Sequence, residues 1–133
     1  MKICVICRRK RDLEEFRRLA GAADGHLGFC MQCERLHERL GNYHISVERF
    51  IDALEAQGWC CVICGIDLDV SSATVDHDHS CCVMDRSCGK CVRGFPCASC
   101  NAAMGLLGDS WQRTLYAAMY LAEYDAKLRQ KQC

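Results

Sequence analysis

The run Asp76-His77-Asp78-His79-Ser80-Cys81-Cys82 sets four ionisable side chains in a row, with two thiols after a single serine. It does not suit a core strand, because alternate positions would bury charge at a cost on the order of several kcal/mol each. Carboxylate oxygens are hard ligands for a divalent cation, and imidazole accepts a proton near neutral pH. Thiols are ligands for zinc. The chemistry open to this run is therefore one metal, two metals, or proton transfer beside a metal.

Fourteen of the 133 residues are cysteine, and Cys-x-x-Cys occurs five times, at 4/7, 30/33, 61/64, 88/91 and 97/100. A tight turn between two thiols points both sulfurs at one centre, which suits tetrahedral zinc better than a disulfide scaffold. No signal-like apolar segment opens the chain and no apolar run reaches transmembrane length, so a reducing cytoplasm with zinc as the staple is expected. Cys61, Cys64, Cys97 and Cys100 read as one closed structural site. They bracket the acidic and histidine run, and Asn101 follows the last ligand, so one zinc would hold Asp76, His77 and Asn101 together. Cys4, Cys7, Cys30 and Cys33 read as a second site. A third is expected at Cys81, Cys82, Cys88 and Cys91, with His79 in place of one of the adjacent thiols as a variant, and with a disulfide or free thiols as the competing states. Cys60 and Cys133 have no evident partner.

The segments QGWCCVICG, TVDHDH and CVRGFPCASCNAAMG, followed by a terminal helix, resemble the phage recombination endonuclease VII group of the HNH, or His-Me finger, nucleases. The resemblance spans roughly residues 44–122. It implies an α+β fold, a small zinc-stapled ββα-metal nuclease core with an N-terminal zinc module and flanking helices. It also implies a Mg²⁺-dependent DNA endonuclease, with Mn²⁺ as a substitute and branched or junction DNA as the substrate type the group suggests. Zinc would sit on Cys61, Cys64, Cys97 and Cys100. Asp76 and Asn101 would bind the catalytic metal and His77 would be the general base. His79 and Arg93 are then placed to contact phosphate, His79 having metal ligation as an alternative, and Asp78 to orient an imidazole. A phage or prophage origin, action inside a bacterial host, DNA as partner without a membrane, and an open possibility of a homodimer complete the expectation. Met104 departs from the pattern, since a family member carries glutamate there.

These residues need elements to position them. Residues 1–40 are expected to form a zinc-ribbon-like module and 41–133 the nuclease domain, with Gly41-Asn42 at the boundary. Asp12 and Glu15 suggest a helix start over DLEEFRRLA. Ser46 is expected to cap a helix whose Val47, Phe50, Ile51 and Leu54 share one face, closed by Gly58. Trp59–Val75 reads as two short strands around a turn. Asp109 with Gln112 is expected to start a last helix striped by Trp111, Leu115, Ala118 and Ala122, with Trp59, Tyr116, Tyr120 and Tyr124 as packing residues.

Acidic and basic residues balance at 17 each, so DNA contact must come from local patches. Nine Lys/Arg against six Asp/Glu in residues 1–40 make the Arg8–Arg11 run the candidate patch, with an ordinary solvated face as the alternative. The rival functional class is a catalytically silent zinc adaptor binding DNA or protein. A thiol redox protein would need a Cys-x-x-Cys beside a βαβ pattern, and none is visible.

Overall fold

A computed structural model describes residues 1–84 and 86–131. Two compact units divide the chain, Met1–Ala98 and Ser99–Cys133. Cys133 lies outside the described residues.

The first unit opens with β1 (Lys2–Ile3) paired antiparallel to β2 (Lys10–Arg11), Lys2 opposite Arg11. Between them Cys-Val-Ile-Cys folds into a knuckle. The Cys4 N–H donates to the Arg9 carbonyl (3.0 Å) and the Arg8 N–H to the Cys4 carbonyl (2.8 Å), with Arg8 left-handed at φ 58°. Cys61-Val62-Ile63-Cys64 repeats this pattern: Cys61 N–H to Ile66 O (2.8 Å), Gly65 N–H to Cys61 O (2.9 Å), Gly65 at φ 75°. Glycine adopts that φ without steric cost, whereas Arg8 gives up roughly 1–2 kcal/mol to hold the same turn.

Asp12 does not start an α-helix. Its N–H takes the Glu15 carboxylate (3.3 Å) over a single 3-10 turn, Leu13–Glu15, and the chain then extends as β3 (Phe16–Arg18). Pairing with β4 (His26–Cys30) overrides the local helix signal, because Phe16 lies opposite the ligand-type Cys30 and is buried to 3% exposure. Helix α1 (Met31–Gly41) follows, and α2 (Val47–Ala56) is as expected. The Ser46 hydroxyl accepts from the Arg49 N–H (3.2 Å), and Gly58 at φ 65° ends the helix with Gly58 N–H to Glu55 O and Trp59 N–H to Leu54 O, a Schellman closure. Leu36 and Leu40 of α1 and Phe50, Ile51 and Leu54 of α2 are buried, and Phe50 meets Phe95 edge-on at 4.9 Å.

The Trp59–Val75 stretch forms no two-stranded hairpin. It holds single bridges, Cys60 with Asp67 and Ala73 with Cys97, because the knuckle and bends take up the backbone bonds that a ladder would use. Cys60 is not spare in its contacts, since its thiol donates to Gly58 O (3.4 Å) and lies 3.7 Å from Asp67 Oδ1. Strands β5 (Asp76–His77) and β6 (Val92–Gly94) pair antiparallel. The second unit consists of α3 (Ala98–Leu106), whose first residue closes the first unit, and α4 (Trp111–Lys131). Ser110, not Asp109, caps α4, its hydroxyl accepting from the Arg113 N–H (3.3 Å). Trp111, Tyr116, Tyr120 and Tyr124 are exposed by 63–74% rather than packed, since a 21-residue helix presents more apolar surface than its own small unit covers.

The basic run near the N-terminus turns inward. Arg8 pairs with Glu55 (2.7 Å) and Asp52 (3.4 Å) on α2, Arg9 lies 4.8 Å over the Trp59 ring and donates to Leu68 O (3.0 Å), and Arg11 pairs with Asp69. Three of the four cations therefore fasten residues 1–40 to the rest of the unit instead of forming a free DNA-facing patch. Their worth differs with exposure. The Arg8 side chain is 58% exposed and its pair adds little, whereas Arg11 is 13% exposed. Burial pushes the Asp69 carboxyl up, but the Arg11 guanidinium and the Val70 N–H outweigh it and hold it below its ordinary value. Arg11→Ala would leave that half-buried carboxylate unpaired and is expected to cost on the order of 1–3 kcal/mol in urea unfolding, with Arg8→Ala close to neutral. Equal effects of the two substitutions would contradict this ordering.

Candidate active site

Strand alternation sets the site. Val75 and His77 point to one face and are buried at 7% and 3% exposure, while Asp76 points to the other. Asp76 lies opposite Gly94 and His77 opposite Val92, and the pairing continues through Asp78 N–H to Cys91 O (3.0 Å). The His77 Nε2 lies 3.1 Å from the Cys82 carbonyl oxygen. A carbonyl only accepts, so Nε2 is the donor in this contact. Two rings frame the imidazole edge-on, Tyr43 at 5.8 Å and His79 at 4.6 Å between centroids.

Asp76 and Arg93 face each other across the hairpin. Arg93 Nε donates to Asp76 Oδ2 (2.9 Å) and Nη2 to Oδ1 (2.7 Å), a bidentate pair. The expected phosphate clamp thus engages the expected metal ligand. Of the roughly four lone-pair positions on a carboxylate, a fork of this kind uses two, so Asp76 keeps acceptor capacity for a cation. Asp78 Oδ1 accepts from the Ser80 N–H (2.8 Å) and hydroxyl (2.7 Å), which makes it the turn-former at the head of the Ser80–Cys91 loop. Asn101 sits in α3, in the second unit, directly after Cys100.

The cysteines gather as their spacing suggested. Cys4, Cys7, Cys30 and Cys33 are all buried, with their sulfurs within 4.8 Å of one another and Cys4 to Cys33 at 3.7 Å. In the first unit the sulfurs of Cys61, Cys64 and Cys97 also lie within 4.8 Å of one another, Cys64 to Cys97 at 3.9 Å, with Cys61 and Cys97 buried and Cys64 exposed, and Cys100 follows one helical turn along the chain. The two sites share a further contact: the Cys30 N–H reaches Cys4 Sγ and the Cys97 N–H reaches Cys61 Sγ, each at 3.3 Å. Cys81, Cys82, Cys88 and Cys91 form a third, partly exposed group. A tetrahedron of sulfurs about 2.3 Å from zinc has edges of about 3.8 Å, so the separations fit that ion. The chemistry of the donors fits as well. The Cys33 thiol as donor holds Cys7 down to about 5, and backbone N–H groups of Lys90 and Cys91 hold Cys88 down to about 6. Burial pushes Cys61 up, but N–H groups of Cys64, Cys97 and Ile63 outweigh it and bring it to about 6. One thiolate in each cluster is thus favoured while a neighbour such as Cys81 is pushed up to about 12 by its bonds to Cys82 and Cys88, a proton distribution that a divalent ion would replace.

Sequence reasoning missed Tyr43, the Cys82 carbonyl, and the partners that pin the Ser80–Cys91 loop. The Cys82 contact is a backbone atom and carries no residue-type signal. A cleft of about 390 Å³ lies beside the first cluster, lined by Val5, Phe29, His37 and Ile51, and includes none of Asp76, His77 or Arg93. A shallower groove of about 300 Å³ runs along Val92–Phe95 with Arg49 and Gln57 on its wall, beside Arg93.

Among the described residues no helix is long and apolar enough to cross a membrane. No curated protein sequence matches the chain. The crystal structure of the ββα-Me type II restriction endonuclease Hpy99I is matched at 24% identity over 92% of this chain and 65% of that one, with a TM-score of 0.37. This chain thus spans just under two thirds of that enzyme's length. Residues 34–123, from within α1 to within α4, match the model of recombination endonuclease VII. With that match covering most of its length, and a β5–β6 hairpin followed by α3 in the matched region, the chain belongs to the recombination endonuclease VII family, a family of nucleases.

Proposed function

We propose that this chain is a Mg²⁺-dependent DNA endonuclease in which His77 is the general base. The observation that carries the reading is the anchored imidazole: Nε2 is committed to the Cys82 carbonyl at 3.1 Å, so Nδ1 is the atom left to accept a proton. In this mechanism His77 takes a proton from water at Nδ1 as the water oxygen closes on phosphorus and the bond to the 3′ oxygen breaks. Asp76, through the lone pairs that Arg93 does not use, and Asn101, through its amide oxygen, are the hard donors that would hold Mg²⁺, and Mn²⁺ in its place. When bound, the ion neutralises charge on the scissile phosphate and the departing oxygen. Arg93 lies beside Asp76 and His79 beside His77, and both are assigned to the phosphate, Arg93 by sharing its guanidinium between Asp76 and the DNA backbone.

Zinc is assigned to Cys4, Cys7, Cys30 and Cys33, and to Cys61, Cys64, Cys97 and Cys100, where Cys100 is the fourth ligand by its spacing from Cys97. Residues 1–40 are the zinc-ribbon-like module and 41–133 the nuclease domain. Branched or junction DNA is the substrate preferred by family, and a phage or prophage enzyme acting in the bacterial cytoplasm is the matching biological setting. A homodimer would give two-strand cleavage by two such sites.

His77→Ala is expected to lower Mg²⁺-dependent cleavage by about 10²–10⁴-fold while leaving zinc content and circular dichroism unchanged, with Asp76→Ala and Asn101→Ala losing metal-supported activity. Undiminished cleavage by His77→Ala would remove His77 as the base, and a wild type that cleaves no DNA would instead favour a silent zinc adaptor. Cys61→Ser is expected to lose one zinc per chain together with cooperative unfolding, because the ion's binding energy is folding energy in so small a unit. Metal analysis and a thermal melt of the same sample check it, and an unchanged zinc count would remove Cys61 from the ligand set.

A further inference from the structure

The thiols of the Ser80–Cys91 loop lie outside the site that the family pattern describes, and the geometry points to a task for them. We propose that Cys81, Cys82, Cys88 and Cys91 bind a zinc ion that positions His77 through the Cys82 carbonyl, so that nuclease activity depends on the occupancy of this exposed site. The proposal rests on His77 being the base.

The donor set is built for a tetrahedral ion. Cys81 lies 3.9 Å from both Cys88 and Cys82, and Cys88 3.8 Å from Cys91, close to the edge of about 3.8 Å that zinc–thiolate bonds of about 2.3 Å require. These separations are far beyond a disulfide of about 2.05 Å. Adjacent cysteines seldom converge, yet here the Cys81 and Cys82 N–H groups both donate to the Asp78 carbonyl (3.1 Å each), and that bend brings the two sulfurs to one side. His79 is not needed as a substitute ligand.

The two halves of the tetrad have different attachments. Cys82 carries the carbonyl that receives His77 Nε2. Cys88 and Cys91 belong to a segment fastened to the α1–α2 connection: Ser87 N–H donates to Asn42 O (3.1 Å), Ser87 O lies 2.6 Å from His44 Nδ1, and Gly89 O accepts from Arg49 Nη1 (2.7 Å). The fit there is close. Gly89 is at φ 76°, and a Cβ on it would fall 2.5 Å from the His44 carbonyl oxygen. Between the halves, Val83 and Met84 are 74% and 79% exposed, so no apolar burial stiffens the bend. An ion joining the four sulfurs would link the pinned half to the Cys82 carbonyl and hence to the imidazole. Cys81 and Cys88 are exposed, whereas the first cluster is buried throughout, so this metal exchanges with solvent most easily and can leave without opening the core.

The test uses the full chain. Wild type is expected to hold three zincs and Cys88→Ser two, with far-UV circular dichroism and DNA affinity retained. In ¹⁵N-labelled protein the His77 ring should show the Nε2–H tautomer in wild type and a tautomer mixture in Cys88→Ser. The kcat should fall roughly ten- to hundredfold with KM unchanged. Cys88→His, which keeps a zinc donor, should restore the third zinc, the tautomer and most of kcat. Stepwise zinc withdrawal from wild type by a competing chelator reads the same link without a substitution: the first equivalent lost should carry the His77 change with it. A wild type that binds no third zinc, or a two-zinc Cys88→Ser with wild-type tautomer and kcat, overturns the proposal. If wild type cleaves no DNA at all, the nuclease reading fails, and the zinc count and tautomer still decide the coupling.

Discussion

Strands of two and three residues do not hold a side chain in place by their own ladders, and β5, which carries His77, and its partner β6 are of that length. What closes this chain is convergence of sulfur. In each knuckle a cysteine N–H ties the turn from within, and at both Cys4 and Cys61 a backbone N–H from the following helix entry returns to the sulfur at 3.3 Å. These N–H···S bonds direct the sulfurs, so the cysteines are oriented by the same backbone that they then restrain. The apolar core around Phe50, Leu36 and Leu54 supports this arrangement but is small, as a chain of 133 residues allows.

The polar site inherits that rigidity. Val75, just before β5, and His77 share one buried face, which leaves Asp76 directed to the other with Arg93 on both its oxygens. A bidentate guanidinium fixes the carboxylate in angle and leaves its remaining lone pairs open to a hard cation. His77 has the complementary constraint, one nitrogen bound and one available. Placing a histidine and an aspartate on adjacent residues of one strand sends them to opposite faces, so each is set by its own neighbours.

Much of this was legible in residue spacing. Ser46 and the 47/50/51/54 pattern located α2, and Cys-x-x-Cys pairs located every sulfur cluster, because cap and ligand geometry are local properties. Two of the differences come from contacts distant along the chain. Asp12-Leu13-Glu14-Glu15 has a helix signature, yet Phe16 is drawn into a strand opposite Cys30. Arg8, Arg9 and Arg11 look like a basic patch until Glu55, Trp59, Leu68 and Asp69 are brought to them from about fifty residues away. The Cys82 carbonyl was invisible because every residue has one, and α4 was assigned a packed stripe although Trp111 and its tyrosines are exposed.

The most direct measurement is a crystal structure of the full chain with duplex DNA and Mn²⁺, the ion located by its anomalous scattering. The expected result is one Mn²⁺ ligated by the Asp76 carboxylate and the Asn101 amide oxygen, with His77 Nδ1 facing the scissile phosphate and Nε2 still on the Cys82 carbonyl. An ion held elsewhere, or an imidazole turned so that Nε2 faces the phosphate, would contradict it.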